Sequence, residues 1–163
     1  MYIKPKIIAE IGCNHKGDME IAFELIKLAK ECGADVAKFQ KRNSKELLTE
    51  EQYNSPHPNP YNSYGETYGA HREFLEFDID QNIKLMDYCN KIGIEYSTSV
   101  WDVTSARDIV SMNPDMIKVP SACNNHFDML QILRDDYSGD VHISLGMTSS
   151  EEVNQIIDFF DHK

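Results

Sequence analysis

KIIAEIGCNHKGDMEIAFELIKLAKECGADVAKFQ, running from Lys6 to Gln40, is the stretch whose reading decides the fold. Its first piece, Ile7 to Ile11, is a short apolar run interrupted by Glu10 and stopped at Gly12, the pattern of a buried strand entering a loop. Gly17 and Asp18 open a segment with Met19, Ala22, Phe23, Leu25, Ile26 and Ala29 at helical spacing, which Asp18 is placed to cap and Gly33 to end. Val36 to Gln40 reads as a second strand with a lysine at its centre. Strand, helix and strand at this spacing make a right-handed βαβ unit with parallel strands. Period two sets Val36, Lys38 and Gln40 on one face and Ala37 and Phe39 on the other. Glu10 and Lys38 then share an interior while the second face meets helices.

The pattern repeats along the chain. Lys41 to Ala70 is a long polar stretch with Pro56, Pro58, Pro60, Gly65 and Gly69, too long for a plain connection and therefore either functional or a surface insertion. Helical spacing resumes near His71 and runs to Gly93. Ile94 to Val100 follows as strand three, Thr104 to Ser111 as a short helix, Met116 to Ser121 as strand four and Phe127 to Arg134 as the next helix. Val141 to Leu145 is strand five, and a last helix from about Ser149 to Phe160 opens with SSEE, an N-terminal capping signal.

Strands alternating with helices, without a hairpin, allow a doubly wound sheet or a TIM barrel. Polar residues within or just past the strands (Glu10, Lys38, Thr98, Lys118, Ser121, Ser144) favour the barrel, whose sites gather where strands end on one face. About five units are present and a closed barrel has eight. The expected class is therefore an α/β chain of TIM-barrel type, incomplete, with two open sheet edges and an exposed apolar interior that would favour self-association.

Composition excludes several function classes. At 163 residues, 41% hydrophobic and 26% charged, the chain is a globular one of ordinary domain size. A formal net charge of -11 argues against nucleic acid or an acidic membrane as partner, so an anionic ligand needs a local basic pocket. Cys13, Cys32, Cys89 and Cys123 show no zinc-like spacing, no signal peptide precedes the first strand, and no run of about 18 apolar residues occurs; reduced thiols and a cytoplasmic location are expected.

Lys38 and Lys118 sit at comparable depths on non-adjacent strands. Two ammonium groups converging on one cavity repel unless an anion lies between them, so a phosphate or carboxylate ligand follows. Ser121 and Thr98 can add hydroxyl donors. Against this stand plainer readings: lysines that snorkel to the rim, and a Glu10 that serves only as the partner of Lys38. Asn14 and His15, in the loop after strand one, are acid/base or metal candidates by type, although a loop-packing histidine is the commoner case; His71 and Arg72 share that ambiguity. No base stands beside Cys13 or Cys123 in sequence, so a thiol nucleophile has little support.

AEIGCNHKGD, GADVAKFQ, YGETYGAHREFLEF, IKVPSACNN and SLGMTSSEEV resemble, in order and spacing, the N-terminal half of the sialic acid synthase (N-acetylneuraminate synthase) family, and the match runs through essentially the whole chain. The resemblance implies a cytoplasmic transferase that condenses phosphoenolpyruvate with the open-chain aldehyde of an N-acetylated amino sugar, N-acetylmannosamine or its 6-phosphate. C3 of the enol attacks the aldehyde, water adds at C2, and a tetrahedral intermediate loses phosphate. Carried over by motif, Lys38, Thr98, Lys118 and Ser121 hold phosphoenolpyruvate, and Glu10 is the acid near the sugar. The long loop, with Tyr68, His71 and Arg72, covers the sugar site, and Asn14 and His15 match the family's first loop.

Leu145 replaces a small hydroxyl residue and Pro120 a frequent glycine. The family's divalent metal, Mn2+ or Mg2+, is held by histidines on later strands, and an antifreeze-like C-terminal domain reaches into a partner subunit of a homodimer. Residues 1–163 correspond to the part before these, so no metal ligand is expected here; His126 and His142 lie outside the matching motifs. Two other readings stay open: a truncated, non-catalytic homologue that binds an anion or self-associates, and a synthase of legionaminic or pseudaminic type. The phosphorylated-sugar relatives share the TYGxH pattern found at Thr67–His71.

Overall fold

The computed structural model describes residues 4–161. Five parallel strands, β1 (Ile8–Gly12), β2 (Val36–Lys41), β3 (Glu95–Val100), β4 (Met116–Val119) and β5 (Asp140–Ile143), form one sheet in the order β1-β2-β3-β4-β5. Eight helices lie between and after them: α1 (Met19–Glu31), α2 (Ser44–Leu47), α3 (Glu50–Asn54), α4 (Tyr68–Phe74), α5 (Ile79–Ile92), α6 (Val103–Met112), α7 (Phe127–Asp136) and α8 (Ser150–Asp161). Spatial order equal to chain order is the barrel's arrangement, because a doubly wound sheet reverses its order at a switch point.

The sheet's two faces confirm this. Ala37, Phe39 and Tyr96 pack with Ala22 and Ile26 of α1 and Leu85 and Cys89 of α5. Val100, Ile117 and Val119 pack with Ala106 and Ile109 of α6 and Met129, Leu130 and Leu133 of α7, with Val141, Ile143 and Phe159 against that cluster. All these helices cover one face. Fully buried side chains such as Leu85, Ile109 and Leu130 each contribute about 1.5–3 kcal/mol. The opposite face carries Glu10, Lys38, Gln40, Ser97, Ser99, Lys118 and His142, in register across neighbouring strands. The expected apolar interior is thus polar along this half of its depth, with Val36 and Met116 as its buried apolar floor. Among the described residues, β1 and β5 each have one neighbour only, as an open partial barrel requires.

Local chemistry explains the element limits. Asp18 caps α1, accepting from the backbone N–H of Glu20 and Ile21 at 2.8 and 3.2 Å. Ser149 and Glu152 exchange hydrogen bonds ahead of α8. The helical signal from His71 to Gly93 is not one helix: Asp78 and Gln81 form a capping box that starts α5 anew after α4 ends at Phe74. Strand four stops at Val119, and Ser121 opens a 3-10 turn.

The long stretch after β2 is ordered. Asn43 N–H donates to the buried Asp102 carboxylate at 2.7 Å, and Glu46 accepts from the backbone N–H groups of Val103 and Thr104 at the start of α6. Gly69 lets α4 lie on the Tyr53 ring of α3, where a Cβ would stand 2.2 Å from a ring carbon. Gly17, at φ +74°, meets the Phe74 carbonyl so closely that a Cβ would lie 2.3 Å from its oxygen. Gly17→Ala is therefore expected to lower stability by about 1–3 kcal/mol in urea unfolding. An unchanged unfolding midpoint would show that the first loop does not brace α4.

Candidate active site

The inward side chains of β1 to β4 make the site. Glu10 and Lys38 are register partners, and the Lys38 ammonium donates to the Glu10 carboxylate. The Lys38 side chain is 11% exposed and that of Glu10 is 52% exposed, so the pair is held at its lysine end and open at its acid end. A buried ammonium needs such a partner. Lys118 stands two strands away, partly buried; burial first, and then the positive charge of Lys38, hold its pKa below the usual lysine range, while Glu10 and Cys123 act in the other sense. The two ammonium groups thus feel each other across one face.

Between them lie Ser97, in register with Lys38, and Ser99, in register with both Gln40 and Lys118. Ser97 donates to the Met116 carbonyl at 2.9 Å and is committed to the sheet. No sequence motif marks Ser99 or Gln40 as site residues, although the alternation of β2 puts Gln40 on the face of Lys38. Gln40 also borders Gly12, where a Cβ would lie 3.3 Å from its amide nitrogen and 3.5 Å from Glu10 Oε1. Ser121, partly exposed, follows β4 and faces Gly146 of the loop after β5, whose Cβ position is 3.7 Å from Ser121 Oγ. Asn124 ties these two loops together, donating to the Ser144 carbonyl at 2.9 Å and to Thr148 Oγ1 at 2.6 Å.

Other expected residues lie elsewhere. Thr98 points to the helices: it sits between Ser97 and Ser99, is fully buried, and pairs in register with the helix-facing Phe39 and Ile117. The offset of one residue moves the available hydroxyl to Ser99. His15 is 2% exposed and stacks on Phe77 at 4.0 Å, with Phe39 at 6.0 Å. Its Nδ1 accepts from Gly17 N–H at 3.1 Å, so it packs the first loop against the helix layer. Asn14 is exposed and turns back to donate to the Ile11 carbonyl.

Tyr68, His71 and Arg72 come together on α4, with the His71 ring 4.2 Å from His57 and stacked on Tyr64 at 5.7 Å, and Arg72 5.8 Å from the centre of the Tyr68 ring. Burial, His57 and the two nearby arginines hold His71 below the ordinary imidazole range. Beneath this cluster the buried Arg42 binds Glu76 through Nε at 2.6 Å, accompanied by its backbone N–H at 3.0 Å, and reaches Cys13 Sγ at 2.6 Å. Burial raises the thiol pKa of Cys13 and Cys123, leaving both poor nucleophiles. Among the described residues no group of three or more His, Cys, Asp or Glu side chains could hold a metal ion, so these side chains do not fit a divalent cation. No helix among them is long and apolar enough to cross a membrane.

Residues 25–163 match the model of the NeuB family. The chain belongs to that family. It is 37% identical over 150 residues to N-acetylneuraminate-9-phosphate synthase of Homo sapiens, covering 92% of this chain and 41% of that protein. It is 30% identical over 152 residues to N,N'-diacetyllegionaminic acid synthase of Legionella pneumophila, covering 93% of this chain and 42% of that one. The NeuB chain described here therefore spans about two-fifths of the length of these sugar-acid synthases. A solved N-acetylneuraminic acid synthetase from Leptospira borgpetersenii superposes with a TM-score of 0.78 at 24% identity, over 96% of this chain and 50% of that one, which establishes a shared fold.

The buried imidazole of His15 gives a pH prediction. Desolvation lowers its pKa to about 4, against about 6.5 for an unfolded histidine. Between these values the unfolded chain binds a proton that the folded chain does not, so stability is lost as pH falls through this window and is independent of this group above it. Urea unfolding from pH 4 to 8 should show up to roughly 3 kcal/mol of acid-side loss that His15→Phe does not share. Parallel curves for the two proteins would remove His15 as the cause.

Proposed function

We propose that this chain forms the phosphoenolpyruvate-binding part of a nonulosonic acid synthase active site. The supporting observation is the convergence of Lys38 and Lys118 on one inward face, close enough that the first depresses the basicity of the second. Phosphoenolpyruvate carries a carboxylate and a phosphate, and an anion between two ammonium groups turns their repulsion into attraction. Ser99 and Ser121, one strand away from Lys118 and just past it, supply hydroxyl donors to the same oxygens.

In the condensation, the C3 of phosphoenolpyruvate forms a bond to the aldehyde carbon of the amino sugar, and the aldehyde oxygen takes a proton to become a hydroxyl. Water adds at C2, the C2–O bond to phosphate breaks, and a ketone and inorganic phosphate result. The task of this chain is to fix the enol and its phosphate. The solvent-facing Glu10 carboxylate orients a sugar hydroxyl or carries a proton, and Lys38 holds it in place. A divalent cation, where the full active site holds one, would polarise the aldehyde.

The acceptor meets α4, where Tyr68, His71 and Arg72 gather. The guanidinium of Arg72 favours a phosphorylated acceptor such as N-acetylmannosamine 6-phosphate. An N,N'-diacetylated acceptor is the second reading, supported by the Legionella relative. Titration of phosphoenolpyruvate into the chain by calorimetry tests the pocket. Lys38→Ala and Lys118→Ala should each weaken binding about tenfold or more, Ser99→Ala roughly threefold to tenfold, and Thr98→Val should leave it unchanged. A folded chain that does not bind, or one that loses binding with Thr98→Val and keeps it with Ser99→Ala, would refute this assignment.

A further inference from the structure

β5 brings one more side chain to the inward face. Val141 and Ile143 pack against the helix-side core, so the intervening His142 projects the other way, in register with Lys118. Gln40, Ser99, Lys118 and His142 thereby form one continuous row across β2 to β5, with adjacent strands about 4.8 Å apart. His142 is exposed and makes no hydrogen bond or ion pair among the described residues. It is the nearest inward neighbour of Lys118 on the side away from Ser99.

The charged and titratable groups around it are few. Lys118 lies beside it on β4, with Cys123 in the turn beyond. Asp140, two residues before it on β5 and in register with Met116, shares its face, and its charge acts on Lys6 at the N-terminal end of the strands. Lys38, paired with Glu10, is two strands further. A polyanion bound along this row favours a second cation beside Lys118.

Resting on the phosphoenolpyruvate reading above, we propose that His142, in register with Lys118 on the inward face, is a further contact to the phosphate of phosphoenolpyruvate, one whose protonation and the binding of the anion favour each other. Histidine alone among side chains changes charge near pH 6.5 without special perturbation, so this contact couples affinity to pH. Ligand and proton then favour each other to the same extent, by linkage.

Calorimetric titration of phosphoenolpyruvate at pH 7, in buffers of different ionisation enthalpy, counts the protons taken up. The wild-type chain should take up a fraction of a proton that His142→Gln does not. Its affinity relative to that variant should fall by about fivefold or more from pH 6 to pH 8.5. His142→Lys should bind without this pH dependence. Thermal melts of the variants check folding at this exposed position. Equal proton uptake by wild type and His142→Gln, with binding intact, overturns the role of His142 and leaves the two-lysine pocket standing. A folded wild-type chain that does not bind phosphoenolpyruvate overturns both.

Discussion

An ammonium group on the inward face of β2 is tolerated only because a carboxylate on β1 stands in register with it. Lys38 is nearly covered, and removing Glu10 would leave its ammonium without its carboxylate partner. Because side chains alternate along a strand, a slip of one residue between β1 and β2 would send Glu10 into the helix-facing core and Ile11 inward. The pair therefore fixes which face is which. Every inward residue of β3, β4 and β5 inherits its orientation from that register.

The same alternation separates structure from chemistry. Outward positions hold Ala37, Phe39, Tyr96, Ile117 and Val119, sealed under five helices and contributing the hydrophobic stabilisation. Inward positions hold lysines, serines, a glutamine and a histidine, which add little to stability. Lys118 sits at a cost, its charge disfavoured by burial and by Lys38. A group kept at such a cost marks a place where an anion is expected. The loops at the strand ends then act as a frame. Arg42 joins Cys13 of the first loop to Glu76 before α5, Asp102 holds the start of the long insertion, and Asn124 holds the loop after β5. The α4 cluster of Tyr68, His71 and Arg72 is carried on that frame.

Strand and helix periodicity, Asp18 and SSEE capping and the alternation in VAKFQ were legible in the chain, and they placed all five strands and α1, α6, α7 and α8 within a few residues. Glu10, Lys38, Lys118 and Ser121 were legible for the same reason: a polar residue inside or just past an apolar run needs an explanation that position alone supplies. The helical spacing from His71 to Gly93 does not show the break between α4 and α5, which the capping box of Asp78 and Gln81 sets. Thr98 is the hydroxyl that the family motif marks in YSTS, and the motif does not say which residue of that strand faces inward.

What the sequence determined by itself is the repeated βα unit, the family's ordered motifs and the presence of two lysines on alternate strands, all of which are local patterns or spacings. The tertiary structure alone decided the rest. Cross-strand register turned Thr98 outward and Ser99 inward, aligned His142 with Lys118, and buried His15 under Phe77 instead of presenting it to a substrate. Packing also converted the long polar stretch into helices whose Gly17 and Gly69 contacts join residues far apart in the chain. Register and packing are relations between distant segments, so no window of sequence contains them.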